Sequence, residues 1–204
     1  MTENAPASSI IETLAGRCAG GRITIGEMTD AAGSRAFGLV LLLFALPEAL
    51  PLPIAGISAV IAVPLIVLSA QAALFGADPR LPEWLRRRSI DAGLFRAVAG
   101  KAVPILRRME RVSRPRWQGM ARAGRALGLA CLLLAVIIAL PIPFGNLLPA
   151  LCIAGIAFGL LQRDGVIIAA SLAAGAVVVT GMTVAVLVAG DAILSLVGAA
   201  PGAS

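Results

Sequence analysis

The chain writes one broken apolar motif twice, ninety residues apart. Residues 35–39 read Arg-Ala-Phe-Gly-Leu, an apolar run follows, and Ala-Leu-Pro-Leu-Pro closes the unit at 49–53. Residues 125–129 read Arg-Ala-Leu-Gly-Leu, and the second unit closes on Ala-Leu-Pro-Ile-Pro at 139–143. Overlaid without a gap, residues 35–53 and 125–143 agree at 11 of 19 positions. Proline cannot donate to a helical ladder and blocks the helical conformation of the residue before it. Each unit therefore predicts an apolar helix, a Pro-x-Pro break and a returning apolar helix. The chain predicts two membrane hairpins, at 36–76 and 124–162, within a single membrane domain spanning 1–204.

Composition names the solvent. Hydrophobic residues make up 59% of the chain and mean hydropathy is +0.94, outside the range of soluble domains. The first 35 residues hold Glu3, Glu12, Glu27 and Asp30 and no apolar run after a basic start. They predict a cytoplasmic N-terminal segment rather than a secretory signal. Cys18, Cys131 and Cys152 lack metal-ligand spacing and read as packing residues.

Charge sets the topology. Of 17 Lys and Arg, 13 lie between Arg80 and Arg125; the others are Arg17, Arg22, Arg35 and Arg163. Let the chain enter after Arg35, turn at Pro51 and Pro53, and return by Asp78. Let it enter again after Arg125, turn at Pro141 and Pro143, and return by Arg163. A final apolar run, 166–189, then crosses once. Every basic residue falls on one face, and the other carries only Glu48 and Asp191, as the positive-inside rule expects. Both hairpins enter from one side, which predicts parallel repeats about an axis along the membrane normal. The expected arms, 36–46, 57–75, 126–140 and 147–161, fall short of the about 20 residues of a full span. They either span by recruiting flanking residues or re-enter with buried apices, which then need protein cover.

The linker, 77–123, reads as a basic amphipathic helix in the interface. Leu94, Val98, Ile105, Met109 and Val112 recur at helical spacings among Arg96, Lys101, Arg107, Arg108 and Arg111, and Pro104 predicts a kink or a restart. Trp84 adjoins Arg86, Arg87 and Arg88; Trp117 adjoins Arg114 and Arg116. The candidate lipid or partner contact is therefore Trp84, Arg86, Arg87, Arg88, Arg107, Arg108 and Trp117, suited to anionic headgroups. Aromatics are too few, and motifs absent, for a nucleic-acid partner.

With no histidine or tyrosine, the chain lacks the usual acid–base catalysts. Phosphate-binding loops, Gly-x-Ser-x-Gly and metal motifs are also missing. No enzyme, cofactor, metal or catalytic residue is expected. The polar residues within apolar surroundings form the candidate site: Glu48 and Asn146 beside Pro51, Pro53, Pro141 and Pro143. Asn146 is expected to cap the returning helix; Gln71 and Gln162 are expected to make inter-helix contacts. Gly124-x-x-x-Gly128 and Gly155-x-x-x-Gly159 predict close helix packing. Arg163-Asp164-Gly165 predicts a turn.

These residues carry a resemblance. Phe-Ala-Leu-Pro-Glu-Ala-Leu-Pro-Leu-Pro (44–53), Gly56-Ile57-Ser58, Pro64-Leu65 through Gln71, and Leu81-Pro82-Glu83-Trp84-Leu85 resemble the ExoD family of bacterial membrane proteins. So do Pro-Ile-Pro-Phe-Gly-Asn-Leu-Leu-Pro-Ala (141–150) and Arg163-Asp164-Gly165. The family commonly has Pro-Trp-Leu-Pro where this chain has Pro82-Glu83-Trp84-Leu85. The resemblance covers about residues 10–190. It implies an inner-membrane protein that supports or modulates exopolysaccharide production, and it supplies no catalytic residues. Two functions are consistent with this. One is a non-enzymatic accessory contacting anionic lipid or assembly proteins. The other is a small transporter or channel with its site at the apices. Thin bundles with Gly-rich faces predict a homo-oligomer.

Overall fold

A computed structural model describes residues 6–17, 21–49, 58–76, 82–117, 119, 123–140 and 145–198. Pro51, Pro53, Pro141 and Pro143 lie outside the described residues, and so does Cys18. The fold is all-α apart from one small sheet. In chain order the elements are α1 (Ala7–Arg17), β1 (Arg22–Thr24), α2 (Ile25–Ala32), α3 (Ala36–Ala49) and α4 (Ser58–Phe75). A single turn α5 (Glu83–Arg86), β2 (Ser89–Asp91) and α6 (Ala92–Glu110) follow. The series ends with α7 (Gly124–Ala139), α8 (Leu147–Gln162) and α9 (Gly165–Gly198).

Four apolar helices form the centre. α3 lies along α8, and α4 lies along α7, so each arm of one hairpin packs mainly on an arm of the other. α3 is apolar all round and buried nearly all round, from Gly38 through Leu43 and again at Ala45, Leu46 and Ala49. That is the expected state of a helix with no polar face. It runs antiparallel to α8: Gly38 faces Ala157 and Leu161 at one end, and Glu48 meets Asn146 at the other. Pro47 sits in the last turn of α3, where only the carbonyl one turn back loses its donor.

The two motif glycines, Gly38 and Gly128, both sit at helix crossings. A Cβ on Gly38 would lie 3.2 Å from the Ala157 carbonyl oxygen and 3.2 Å from Leu161 Cγ. A Cβ on Gly128 would overlap the backbone of Ala72 and Ala73 in α4. Gly155 and Gly159 likewise face α9, against Ser171 and Ile168. The expectation of close packing holds at Gly128, Gly155 and Gly159, because small residues let backbones approach.

Helix α9 is the one described helix long and apolar enough to cross a membrane, over Gly165–Asp191. It is longer than the 24-residue run expected, at 34 residues, or roughly 51 Å. Its first half packs on α8 and α7, while Val177, Val184, Val186, Leu187 and Val188 are exposed. Leu129, Leu133 and Val136 of α7 and Leu147, Leu148 and Leu151 of α8 are exposed as well. A surface of this kind suits lipid rather than water. The shorter apolar helices have 14 (α3), 18 (α4), 16 (α7) and 16 (α8) residues, so roughly 21–27 Å each.

The N-terminal segment is more structured than the sequence reading anticipated. β1 pairs antiparallel with β2, Arg22 opposite Asp91 and Thr24 opposite Ser89, which ties the segment to the linker. Thr24 then opens α2 with a capping box. Its Oγ1 accepts from Glu27 N at 3.2 Å, and Glu27 Oε2 accepts from Thr24 N at 2.8 Å. Donation from Thr24 N, and from Thr24 Oγ1 at 2.9 Å, holds the exposed Glu27 carboxyl below its ordinary value, and the box satisfies donors that a helix start leaves open.

α6 is an amphipathic helix carrying basic residues, as expected, but its buried stripe differs from the one expected. Its buried stripe is Ala92, Phe95, Val98, Ala99, Ala102, Val103 and Leu106. The expected stripe was offset from it, for Ile105 and Val112 are exposed. The buried stripe packs on α1, whose Ala7, Ile10, Ile11 and Leu14 are buried in the same core. The apolar face is thus already covered by protein. Pro104 is accommodated inside one continuous helix, which Asp91 opens by accepting from Gly93 N and Leu94 N.

Candidate functional site at the hairpin apices and the basic face

Glu48 lies in the last turn of α3, and Asn146 immediately precedes α8. The sequence placed them in different hairpins, and the antiparallel α3–α8 pairing brings them together. Asn146 Nδ2 donates to Glu48 Oε2 at 3.5 Å, a long contact. Asn146 takes a helical conformation (φ −79°, ψ −24°) and makes no side-chain cap bond. The capping role expected of it is therefore not filled. A cap needs extended backbone at this position so that the side chain folds over the first turn; here the amide turns toward the carboxylate instead. The opposite orientation of the amide would set its oxygen against the Glu48 carboxylate. In the orientation found, Oδ1 is buried without a hydrogen-bond partner, a state that costs about 1–3 kcal/mol.

At the other end of the bundle, two carboxylates fasten the linker. Glu110, at the end of α6, accepts from Ser8 N at 2.8 Å, Ser8 Oγ at 2.6 Å and Gln162 Nε2 at 3.1 Å. It joins α1, α6 and α8 in one contact. Gln162 thus makes the inter-helix contact expected of it, with a partner the spacing did not suggest. The Gln71 Oε1 atom is buried without a partner.

Asp164 is fully buried, at 0% exposed. It accepts from Val166 N at 3.0 Å, which caps α9, and from Arg114 N at 3.0 Å and Ser113 Oγ at 3.2 Å. Arg116 Nε approaches it at 3.4 Å. Gly165 N donates to the Arg116 carbonyl at 2.8 Å. Arg163 closes α8 in the left-handed region (φ 54°). Arg163-Asp164-Gly165 is the turn expected, and it is also the anchor of residues 113–117. An Asp directly before an apolar helix is a cap signal readable in the sequence; its grip on the linker was not.

The basic residues divide into two groups. Arg86 Nη2 donates to both carboxylate oxygens of Asp30, at 3.0 and 3.1 Å. Arg107 meets Glu12 at 2.6 Å, and Arg87 meets Glu83 at 3.6 Å. These pairs are partly or largely exposed and worth little individually. Lys101, Arg108 and Arg111, on the side of α6 away from α1, are exposed and form no ion pair among the described residues. Arg88 is exposed as well. Trp84 is half-exposed, and Trp117 is largely exposed beside the Asp164 turn.

No nucleophile–base arrangement appears among the described residues. No group of three His, Cys, Asp or Glu that could hold a metal occurs among the described residues. What the described residues present is a carboxylate–amide pair between the end of α3 and the start of α8, and a cationic helix face.

The chain is an all-α bundle with one described helix long and apolar enough, by length and composition, to cross a bilayer. The chain belongs to the ExoD family, whose model, described as "Exopolysaccharide synthesis, ExoD", matches residues 7–185. It is 32% identical over 177 residues to protein ExoD of Rhizobium meliloti, covering 79% of this chain and 70% of that one. It is 29% identical over 156 residues to an uncharacterized protein of Synechocystis sp., covering 75% and 74% of the two chains. No solved structure matches. It is the family that is implicated in exopolysaccharide synthesis.

Proposed function

We propose that this is a multi-pass protein of the bacterial inner membrane that supports exopolysaccharide synthesis without catalysing a reaction. Its cytoplasmic unit, built from α1, β1, α2, α5, β2 and α6, presents a basic face to an anionic surface. The observation that carries this reading is the outer side of α6. Lys101, Arg108 and Arg111 are exposed there and unpaired among the described residues, while the apolar side is taken by α1. An interfacial helix would anchor by apolar burial. With that stripe occupied, the exposed Ile105 and Val112 lie beside these cations, and charge adds about 1 kcal/mol per basic residue near an acidic membrane. Anionic headgroups or acidic segments of assembly proteins fit equally well. With both hairpins entering from the side of this unit, all 17 basic residues would face the cytoplasm, as the positive-inside rule expects. A homo-oligomer covers the short helices.

The experiment is replacement of Lys101, Arg108 and Arg111 together by Gln in a producing strain. Polymer output is expected to fall several-fold while the amount of inserted protein stays constant. Full output at normal insertion would remove the basic face from the function.

A second reading has its own observation, the Glu48–Asn146 contact between the hairpins. The exchange of arms between hairpins, α3 with α8 and α4 with α7, is the pairing a two-fold relation would give, and it supports a permeation site on that axis. Purified protein in liposomes is then expected to pass an ion or small solute, with flux reduced at least tenfold by Glu48→Gln. A tight liposome across common ions and sugars would sink this reading and leave the first intact.

A further inference from the structure

Residues 111–117, Arg-Val-Ser-Arg-Pro-Arg-Trp, follow α6 and lie against the start of α9. Asp164 accepts from Arg114 N and Ser113 Oγ, and Gly165 N donates to the Arg116 carbonyl. Trp117 ends the segment in the left-handed region, at φ 53°. Bulky residues rarely take that conformation, and the strain persists only where the surroundings impose it. Here the surroundings include Gly165, where a Cβ would overlap the carbonyl and Cβ of Trp117. The indole gains no core in return. Trp117 is 68% exposed and Val112 is 72% exposed. Arg111 and Arg114 are exposed beside them in the chain and form no ion pair among the described residues. Two apolar side chains and two cations are thus held in the open at the first turn of α9. That helix is the described one long and apolar enough to cross a membrane, and its apolar run begins at Val166. A bilayer crossed by α9 therefore has its boundary at this turn.

We propose that residues 111–117 bind acidic phospholipids of the bilayer. Arg111 and Arg114 take headgroup phosphates, and Trp117 and Val112 enter the boundary between headgroups and acyl chains. Indole suits that boundary, with an apolar body and one N–H for a polar neighbour. An acidic protein segment would match the arginines but not an exposed apolar pair at the mouth of a membrane helix. The site rests on the membrane reading proposed above. Apart from Arg111 it lies outside the outer side of α6, so the two can fail separately.

The test uses the full-length protein with Trp84→Phe, which leaves Trp117 as its single tryptophan. It is placed in nanodiscs of phosphatidylcholine alone or mixed equally with phosphatidylglycerol. Quenching of Trp117 fluorescence by aqueous acrylamide is expected to be about threefold weaker in the anionic discs, and quenching by brominated acyl chains stronger. Arg111→Gln with Arg114→Gln is expected to remove the difference, and so is high salt. The salt dependence decides where the double variant fails to fold. Equal acrylamide quenching in the two discs overturns the proposal, as does a difference that survives the arginine replacements or high salt. Shielding by added polyglutamate in neutral discs, with no effect of phosphatidylglycerol, overturns it in favour of an acidic protein. Lipid-dependent shielding with full polymer output in the Lys101, Arg108 and Arg111 variant keeps this site and removes the outer side of α6 from the function. A fall in that output with equal quenching in both discs does the reverse.

Discussion

Gly128→Ala is expected to lower the melting temperature in detergent by roughly 10 °C, equivalent to about 3 kcal/mol. In an isolated helix the same change stabilises by about 1 kcal/mol, because alanine restricts the unfolded chain and favours helix. The sign reverses here because the new methyl would meet the backbone of Ala72 and Ala73, not the tip of a side chain. Backbone cannot rotate away, so α4 and α7 must separate along their length. Gly38 holds the equivalent place in the first motif, but its nearest neighbours would stand 3.2 Å from a Cβ and include the flexible Leu161. Gly38→Ala is accordingly expected to cost about 1 kcal/mol. Gly181, exposed on α9 with nothing within 4 Å, is the control, and Gly181→Ala is expected to be neutral or slightly stabilising. Equal melting shifts at Gly128 and Gly181 would show that the α4–α7 crossing is not as close as described.

Asp164→Asn is expected to cost about 3 kcal/mol at pH 7 and to expose the end of the linker. The NH2 that replaces one oxygen cannot accept, so either the Val166 N bond at Oδ1 or the Arg114 N and Ser113 Oγ bonds at Oδ2 are lost, and the charge facing Arg116 is lost in both cases. Burial pushes the Asp164 carboxyl up, but backbone donors from Arg114, Val166 and Ile167, with the Arg116 charge, bring it below its ordinary 3.8. A carboxyl depressed by folding stabilises the fold above its unfolded value and loses that contribution as pH falls through the folded value. The gap between wild type and Asp164→Asn is therefore expected to be full at pH 7 and to close below the ordinary carboxylate range. Melting against pH checks the sign, and trypsin cleavage after Arg116 checks the anchor. A gap that is constant down to pH 2 would assign the effect to packing rather than charge.

Much of the fold was legible because hydrophobic runs and prolines act locally. The apolar helices appear within a few residues of the runs that predict them. The ends differ because caps decide ends. α3 runs on to Ala49, since Pro47 costs little in a last turn, and α9 runs on to Gly198, since Asp191 lies on an exposed surface and need not stop a helix. The Thr24–Glu27 capping box was written in the sequence as Thr-x-x-Glu and marks the start of α2. The stripe on α6 was misplaced because alanines at 92, 99 and 102 carry little hydrophobic signal, yet form the close face against α1. The strand pair β1–β2 joins segments more than sixty residues apart, and three-residue strands leave no periodicity to read.

The candidate site divides in the same way. Residue types at the apices are local information, so the sequence could nominate Glu48 and Asn146. It favoured a cap for Asn146 because capping is the commoner local role. It nominated the arginines as one surface, whereas Arg86, Arg87 and Arg107 are held by acids. Their partners Asp30 and Glu12 come from the N-terminal helices, and no spacing rule connects these with the linker.

The sequence by itself determined that this chain is helical and apolar, that a broken motif recurs, and that basic residues gather between the two copies. Each follows from residue chemistry over a short stretch. Only the tertiary structure decided that arms are exchanged between the hairpins, that α6 turns its apolar face to α1, and that Asp164 grips the linker. Those outcomes depend on which apolar faces fit one another and on where backbones can approach, as at Gly128. Shape complementarity between distant segments leaves no period along the chain.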